Sequence, residues 1–518
     1  MRITRQLVTY IARLVTAFCI ATCASAQFSP SGGQPPDSQV NQLPLSGKGG
    51  QSGSVAAAAS PVPGTTTSVN TVSPSVQVQG SYAGSVPSGA RLPFSGKLSL
   101  REAIERGLRF NLGTVGLAQT VRAASGQRRV ARSALLPNLN GNLSETVQQT
   151  NLEAFGLRFQ SPLPGLSFPT VVGPFNYFNL RASLSQKVLD ITAWNNYGAA
   201  SESVRANKWS ALDARDLVVL AVGGAYLQVV AARGRVQSAR AQLETASVLY
   251  RDTSQHHDVG LAAQIDVNRS RVQMLTQRQR VLSLENDLAK QKINLARMTG
   301  LPTNDRYEIS NNVPFSAAPV AGVDNSLKQA FEQRADIKAA AAEVRAAERA
   351  RSAARAERLP SLSVNADYGA IGTNPAESHG TFSVAGSLRF PIWQGGRIGG
   401  DIEQADAALV QRKAELDDLR GRVEADVRDA YSDMQTAASQ VDIARENLQV
   451  AQQNLDLTRQ RFDAGVSDNL EVVQSQELVA GAELDYINSV FAHNVAKLSL
   501  ARATGHAAEQ FGQFLNLQ

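Results

Sequence analysis

The stretch that decides the fold runs from Ser361 to Arg397. Ser361-Leu362-Ser363-Val364-Asn365-Ala366-Asp367-Tyr368 alternates polar and apolar residues without a break. Phe382, Val384, Leu388 and Phe390 then alternate with Ser383, Ala385, Ser387 and Arg389. Such alternation marks strands with one apolar and one polar side. Phe390-Pro391-Ile392-Trp393-Gln394-Gly395-Gly396-Arg397 ends the second strand and opens a proline-free run from Gly395 to Phe462. At ~1.5 Å per residue a helix of that length spans roughly 100 Å, several times the diameter of a globular domain.

The same order occurs earlier in the chain. Phe178, Leu180, Ala182 and Leu184 alternate with Asn179, Arg181, Ser183 and Ser185, and no proline interrupts Ala193 to His257. The run Leu139, Leu143, Val147 is weaker, because Glu145 falls on its apolar face. Asp258-Val259-Gly260-Leu261 matches Asp463-Ala464-Gly465-Val466, and Ala296-Arg297-Met298-Thr299-Gly300 matches Ala501-Arg502-Ala503-Thr504-Gly505, both at an offset of 205 residues. A shared offset over separate motifs indicates an internal duplication. Val222, Val229, Val236, Leu243 and Tyr250 are spaced by seven, as are their counterparts Val427, Met434, Val441, Leu448 and Leu455. Sustained seven-residue spacing predicts helices packed as coiled coils. Gly223-Gly224, inside the first long helix, points to close approach by a neighbour or to tolerance within so long an element.

Working outward, residues 1–26 read as a secretory signal. Arg2 and Arg5 precede a mostly apolar stretch, Val8–Ala21, and the small residues Ala24-Ser25-Ala26. No later stretch reads as a spanning helix of about 20 apolar residues. Both cysteines, Cys19 and Cys23, lie in the signal, so the mature chain has no disulfide or thiolate chemistry. Ile20-Ala21-Thr22-Cys23 leaves lipidation of Cys23 open, although Thr22 suits a lipobox poorly. Loss of the three signal arginines takes the net charge from +6 to +3, too little to argue for nucleic acid. Residues 27–95 are rich in Ser, Gly, Pro, Gln and Val, with Asp37, Lys48 and Arg91 their only charges. They are expected to form a disordered periplasmic extension.

The fold class is therefore an α+β membrane protein with internal duplication. The first repeat covers 96–310, with a β-hairpin at 138–189 and a long helical hairpin at 190–300. The second covers 311–511, with a β-hairpin at 361–393 and a helical hairpin at 395–505, and 512–518 form a tail. Four strands cannot close a barrel, and an open sheet in lipid leaves its edges unsatisfied. Three protomers supply twelve strands, enough for a channel. A soluble periplasmic coiled-coil scaffold or adaptor would account for the heptads but not for the strands. A secreted hydrolase would need a clustered acid–base or nucleophile set, which the sequence lacks.

In this order and duplicated, the motifs resemble the TolC family of outer-membrane efflux channels over about Leu98 to Phe511. Leu136-Pro137-Asn138-Leu139 and Leu359-Pro360-Ser361-Leu362 resemble the family's step from helix into strand. Pro391 with Gly395-Gly396 resembles its exit from strand to helix, with Gln394 where an aspartate is usual. His257-Asp258-Val259-Gly260-Leu261 and Arg461-Phe462-Asp463-Ala464-Gly465 resemble its two hairpin tips. Physically, proline pushes its predecessor out of the α region, and paired glycines let a tilted strand bend into a helix.

The resemblance implies a homotrimer whose twelve-stranded barrel sits in outer-membrane lipid and continues as a hollow helical cylinder in the periplasm. It implies a periplasmic adaptor at the tips, Val259, Gly260, Leu261, Ala464, Gly465 and Val466. An inner-membrane pump of RND, ABC or MFS type would supply the energy, so no enzyme activity and no cofactor are expected. It also places a pore constriction just past the second tip, on Phe462, Ser467, Asp468, Glu471 and Gln474. Three carboxylates around an axis favour cations. Asp266, the counterpart of Glu471, is expected to face neighbours or solvent. His256-His257 lacks a third metal ligand at useful spacing, His493 fills a heptad slot, and Gly395-Gly396 with Gly399-Gly400 read as bends rather than a phosphate loop. The two Leu-Pro steps lie 223 residues apart, 18 more than the repeat offset, and the excess is assigned to the Pro-rich loop around Phe155–Phe175, expected to be extracellular.

Overall fold

The computed structural model describes residues 53–62, 71–87, 96–156, 169–303, 307–310, 315–316, 322–467, 469–505 and 507–514. The signal segment, Cys23, Asp468, residues 157–168 of the long loop and the end of the tail lie outside the described residues.

Two strands, β1 (Val55–Val62) and β2 (Thr71–Val78), precede the duplicated part. Each repeat then contains two short helices, a β-hairpin and a long helical hairpin. The first opens on β3 (Lys97–Leu98) and has α1 (Leu100–Phe110), α2 (Leu112–Ser133), β4 (Asn138–Asn151), β5 (Val171–Leu189), α3 (Ile191–Asp258) and α4 (Gln264–Thr299), closing on β6 (Glu308–Ile309). The second has α5 (Val323–Gln333), α6 (Ala335–Ala356), β7 (Ser361–Gly372), β8 (His379–Arg389), α7 (Arg397–Asp463) and α8 (Asn469–Ala503), followed by α9 (Ala507–Phe514). The short helices and first strands of the two copies are offset by 223 residues, whereas the tips, Asp258 with Asp463 and Gln264 with Asn469, are offset by 205. The extra 18 residues therefore lie within the first β-hairpin. β4 and β5, at 14 and 19 residues, also run longer than the ~9–11 residues of a tilted membrane strand.

The four long strands form one antiparallel sheet in the order β4-β5-β7-β8. Leu180 pairs with Leu143 on one side and Ala370 on the other, while Arg181 pairs with Asn142 and Gly369. The alternation read in the sequence thus lines up across the strands into a largely apolar face, broken by Glu145 opposite Phe178, and a largely polar face. A two-residue parallel ladder between β3 and β6 ties the start of the first repeat to its end.

Each junction has a local cause. Pro137 and Pro360 stand immediately before β4 and β7, and Pro391 follows β8 by two residues. The first repeat passes from strand to helix through Asp190, whose carboxylate accepts the Ala193 N–H at 2.8 Å and caps α3. The second repeat has no such cap. Gly395 and Gly396 instead adopt φ of 60° and 88°, a region side chains rarely enter.

The core sits at the waist. Val218, Val219, Val222 and Tyr226 of α3 are fully buried against Leu98, Ile104, Leu295 and Leu498, and the Tyr226 hydroxyl donates to the Leu98 carbonyl at 3.2 Å. Burying a side chain of this size contributes about 1.5–3 kcal/mol. This apolar run also makes α3 long and apolar enough to cross a membrane by composition, but 67% of the window concerned is buried inside the protein, so it reads as a core helix.

The extension expected to be disordered is in part ordered. β1 and β2 form an antiparallel hairpin packed on α3 and α8. A methyl added at Gly224 would lie 2.7 Å from a Val76 methyl, and one at Gly223 would lie 2.7 Å from Leu498 of α8. Both glycines therefore admit close neighbours. The composition argument fails here because the apolar surface that orders the hairpin belongs to other elements.

Candidate functional site: hairpin tips and sheet

At the first tip, the Leu261 N–H donates to the His256 carbonyl at 2.8 Å and the Gly260 N–H to the His257 carbonyl at 2.9 Å. At the second, the Val466 N–H donates to Arg461 at 2.9 Å and the Gly465 N–H to Phe462 at 2.9 Å. These paired bonds, with φ of 79° at Gly260 and 72° at Gly465, close each long helix in a Schellman turn. The six tip residues are exposed, Leu261 at 78% and Val466 at 69%, so each turn presents a small apolar knob to its surroundings.

The expected constriction residues separate into two groups. Glu471 and Gln474 lie exposed on one face of the first turns of α8. The Ser467 hydroxyl donates to Glu471 at 2.6 Å, and Arg461 reaches the same carboxylate at 3.3 Å. Phe462 points elsewhere: its ring stacks on His256, with centroids 6.1 Å apart, and packs on the cluster of Leu249, Val472 and Val473. Asp468 lies outside the described residues. Asp266 pairs with Arg269 at 3.0 Å, and its carbonyl accepts from the buried Asn469 at 3.3 Å, which joins the two hairpins near their tips. Arg461 stands in the tip motif, yet its role required knowing that the turn folds it back on Glu471. Asn469 carried no sequence signal.

At the other end, the polar face of the sheet carries an ion pair between Arg181 of β5 and Asp367 of β7, with Ser383 donating to the Asp367 carboxylate at 2.5 Å. The alternation places both residues on this face, and only the strand order brings them together. The opposite face is bare: Phe382 is 77% exposed and Tyr368 69%, with Leu139, Leu143 and Val384 beside them. Trp393, 85% exposed, and Trp194 stand where sheet meets helices, as in the aromatic girdle of a membrane barrel. Among the described residues no group of three or more His, Cys, Asp or Glu side chains is placed to hold a metal ion.

An apolar sheet face, aromatic residues at its rim and helices of roughly 100 Å define a channel-wall protomer of a membrane. A model of the outer membrane efflux protein family matches residues 116–301 and 326–506, and the chain belongs to that family. It is similar to the pyoverdine export outer membrane protein OpmQ of Pseudomonas aeruginosa, at 24% identity over 398 residues, 74% of this chain and 80% of the relative. It is also similar to the outer membrane protein TolC of Vibrio cholerae, at 22% identity over 389 residues, 73% and 84% of the two chains. Among solved structures, the Campylobacter jejuni CmeC outer membrane channel superposes with a TM-score of 0.69 at 18% identity, covering 79% of this chain and 86% of that one. The protein is an efflux channel of the outer membrane with its helical part in the periplasm, and its family is one of transport channels rather than enzymes.

Proposed function

We propose that three copies of this chain close into one tube that receives cargo from a periplasmic adaptor and an inner-membrane pump and releases it outside the cell. The observation that carries the homotrimer is the sheet. Among the described residues β4 and β8 each pair on one side only, and an unpaired edge in lipid costs several kcal/mol per unsatisfied group. The helices agree with it. α4 exposes Ile265, Val272, Leu275 and Leu282, and α7 exposes Ile443, Val450 and Leu457 at seven-residue spacing. One apolar row on each flank suits head-to-tail contact, which closes into a ring. Twelve strands then form the barrel.

The exposed knobs Val259–Leu261 and Ala464–Val466 are the docking end for the adaptor, which links the channel to a pump of RND, ABC or MFS type. Within the ring, Glu471, Gln474 and Ser467 narrow the pore, with Asp468 beside them and Phe462 supporting the turn from behind. A soluble scaffold leaves the bare apolar face of the sheet without a purpose. The test uses the cysteine-free mature chain. A photoreactive cysteine at Ala262 or Ser467 should capture a periplasmic adaptor in cells, and the protein should run as a trimer in mild detergent. Recovery as a soluble periplasmic monomer without capture would overturn the proposal.

A further inference from the structure

The seam between the first long hairpin and α8 holds a half-open cavity of about 70 Å³, whose polar lining is Gln242 and Thr245 of α3, Gln273 and Gln277 of α4, and Gln476 and Glu483 of α8, the remainder being apolar. That volume holds one or two water-sized groups. Coiled-coil seams normally bury apolar side chains, yet Gln277 is 6% exposed and Gln273 and Gln476 are each 8% exposed. Three buried amide oxygens here have no hydrogen-bond donor: Oε1 of Gln242, Gln277 and Gln476, against one unused buried donor, Gln476 Nε2. Beside them, the Glu483 carboxylate accepts from the Ser238 hydroxyl and from Gln242 Nε2 at 3.1 Å, and it makes no ion pair among the described residues. The cavity thus combines an excess of acceptors with a half-buried carboxylate that no basic group pairs with among the described residues.

We infer that this seam binds a hard cation of the calcium class, held by the amide oxygens of Gln242, Gln277 and Gln476 and by the Glu483 carboxylate. Water satisfies acceptors but brings no charge. Neutral carbonyl oxygens with one carboxylate are the ligand set of a large alkaline-earth ion, whereas soft and borderline metals favour sulfur and imidazole. No triad of His, Cys, Asp and Glu marks the site, because most of its ligands are amides. A single carboxylate places the affinity at the weak end, with Kd on the order of 10⁻⁴–10⁻³ M. Because the ligands come from α3, α4 and α8, the ion ties the two long hairpins to each other.

The test is calcium titration of the full-length protein in detergent, by calorimetry and by thermal unfolding with and without EDTA. The wild type should bind one more Ca²⁺ per chain than Glu483→Gln, and millimolar calcium should raise the unfolding midpoint of the wild type but not of the variant. The amide introduced by Glu483→Gln keeps an oxygen to accept from Ser238, and circular dichroism reports whether that variant is folded. Gln277→Leu, which removes a ligand without removing a charge, should lose the same ion. Glu471→Gln should keep it, so the seam and the pore reading fail separately. Equal calcium uptake and equal midpoint shifts in the wild type and both seam variants would overturn the inference and leave the cavity to water.

Discussion

Arg461 and Glu471 face each other across the second hairpin turn, guanidinium Nη1 to carboxylate Oε2 at 3.3 Å. The last turn of α7 is thereby held to the first turn of α8 by charge as well as by the Gly465 turn. Both side chains are about half exposed, so the pair contributes at most ~1 kcal/mol to stability, and its main effect is on the local field. Glu471→Gln should lower cation selectivity in a planar bilayer, and Arg461→Ala should raise it by unmasking the carboxylates. Unchanged reversal potentials in both variants would remove this pair from the pore.

The tips should tolerate polar change poorly in function and well in folding. Leu261→Asp and Val466→Asp alter side chains that are 78% and 69% exposed, so stability should move by less than about 0.5 kcal/mol. Export should fall, together with crosslinking to the adaptor at Ala262. Full export with normal crosslinking would place the docking surface elsewhere.

Gly224→Leu puts a side chain where a single added methyl already meets Val76 at 2.7 Å. Overpacking of this kind costs about 1–3 kcal/mol. Most of it should fall on the β1–β2 hairpin, the less embedded partner. Limited proteolysis within 53–78 should accelerate about tenfold, the factor that 1.4 kcal/mol gives when cleavage follows the open population. Cleavage spread evenly along the chain would indicate that the helix yields instead.

Lys497 is fully buried in α8, where its ammonium donates to the Ser316 hydroxyl at 2.8 Å. Burial lowers its pKa from the usual 10.5 to about 8. His493, one turn away, is also lowered, to about 4, first by burial and then by Lys497, and is neutral at pH 7. Between pH 8 and 10.5 the unfolded chain binds the lysine proton and the folded chain does not, so stability rises with pH across that window. Below pH 8 both states are protonated and the burial penalty is in full force. Lys497→Met should therefore unfold at higher urea than the wild type at pH 7, with the gap narrowing by about pH 10. A constant gap would mean that the lysine is solvated.

On the polar face of the sheet, Asp367→Asn would leave Arg181 without its carboxylate partner. The barrel should then shift toward anions. The β5–β7 seam, where the two repeats meet, should also loosen, because a removed partner costs more than a pair contributes. Loss of trimer stability to heat in detergent would report the second effect, and an unchanged melting profile would confine the pair to selectivity.

The sequence disclosed most where local rules and tertiary context agree. Proline and glycine positions placed the ends of α3 and α7 within about two residues, and unbroken alternation gave β7 from Ser361. Glu145, the flaw in the alternation of β4, lies on an edge strand opposite Phe178. Phe462 stands next to the tip and continues a heptad row, and its packing on His256 and Leu249, which only the fold brings beside it, sets the direction of its ring. The β1–β2 hairpin and the glutamine seam were not legible, since each depends on surfaces more than 100 residues away in the chain.

The glycine pair in α3 has a mechanical consequence. Gly223 and Gly224 lie near the middle of a 68-residue helix, pressed by Leu498 from one element and Val76 from another. The arm from Gly224 to the tip at Asp258 is about 50 Å at ~1.5 Å per residue. A tilt of roughly 10° about that point sweeps the tip through about 9 Å, by the geometry of an arm that long. A pivot at this glycine pair would therefore magnify a small tilt of α3 into a displacement several times larger at the far end.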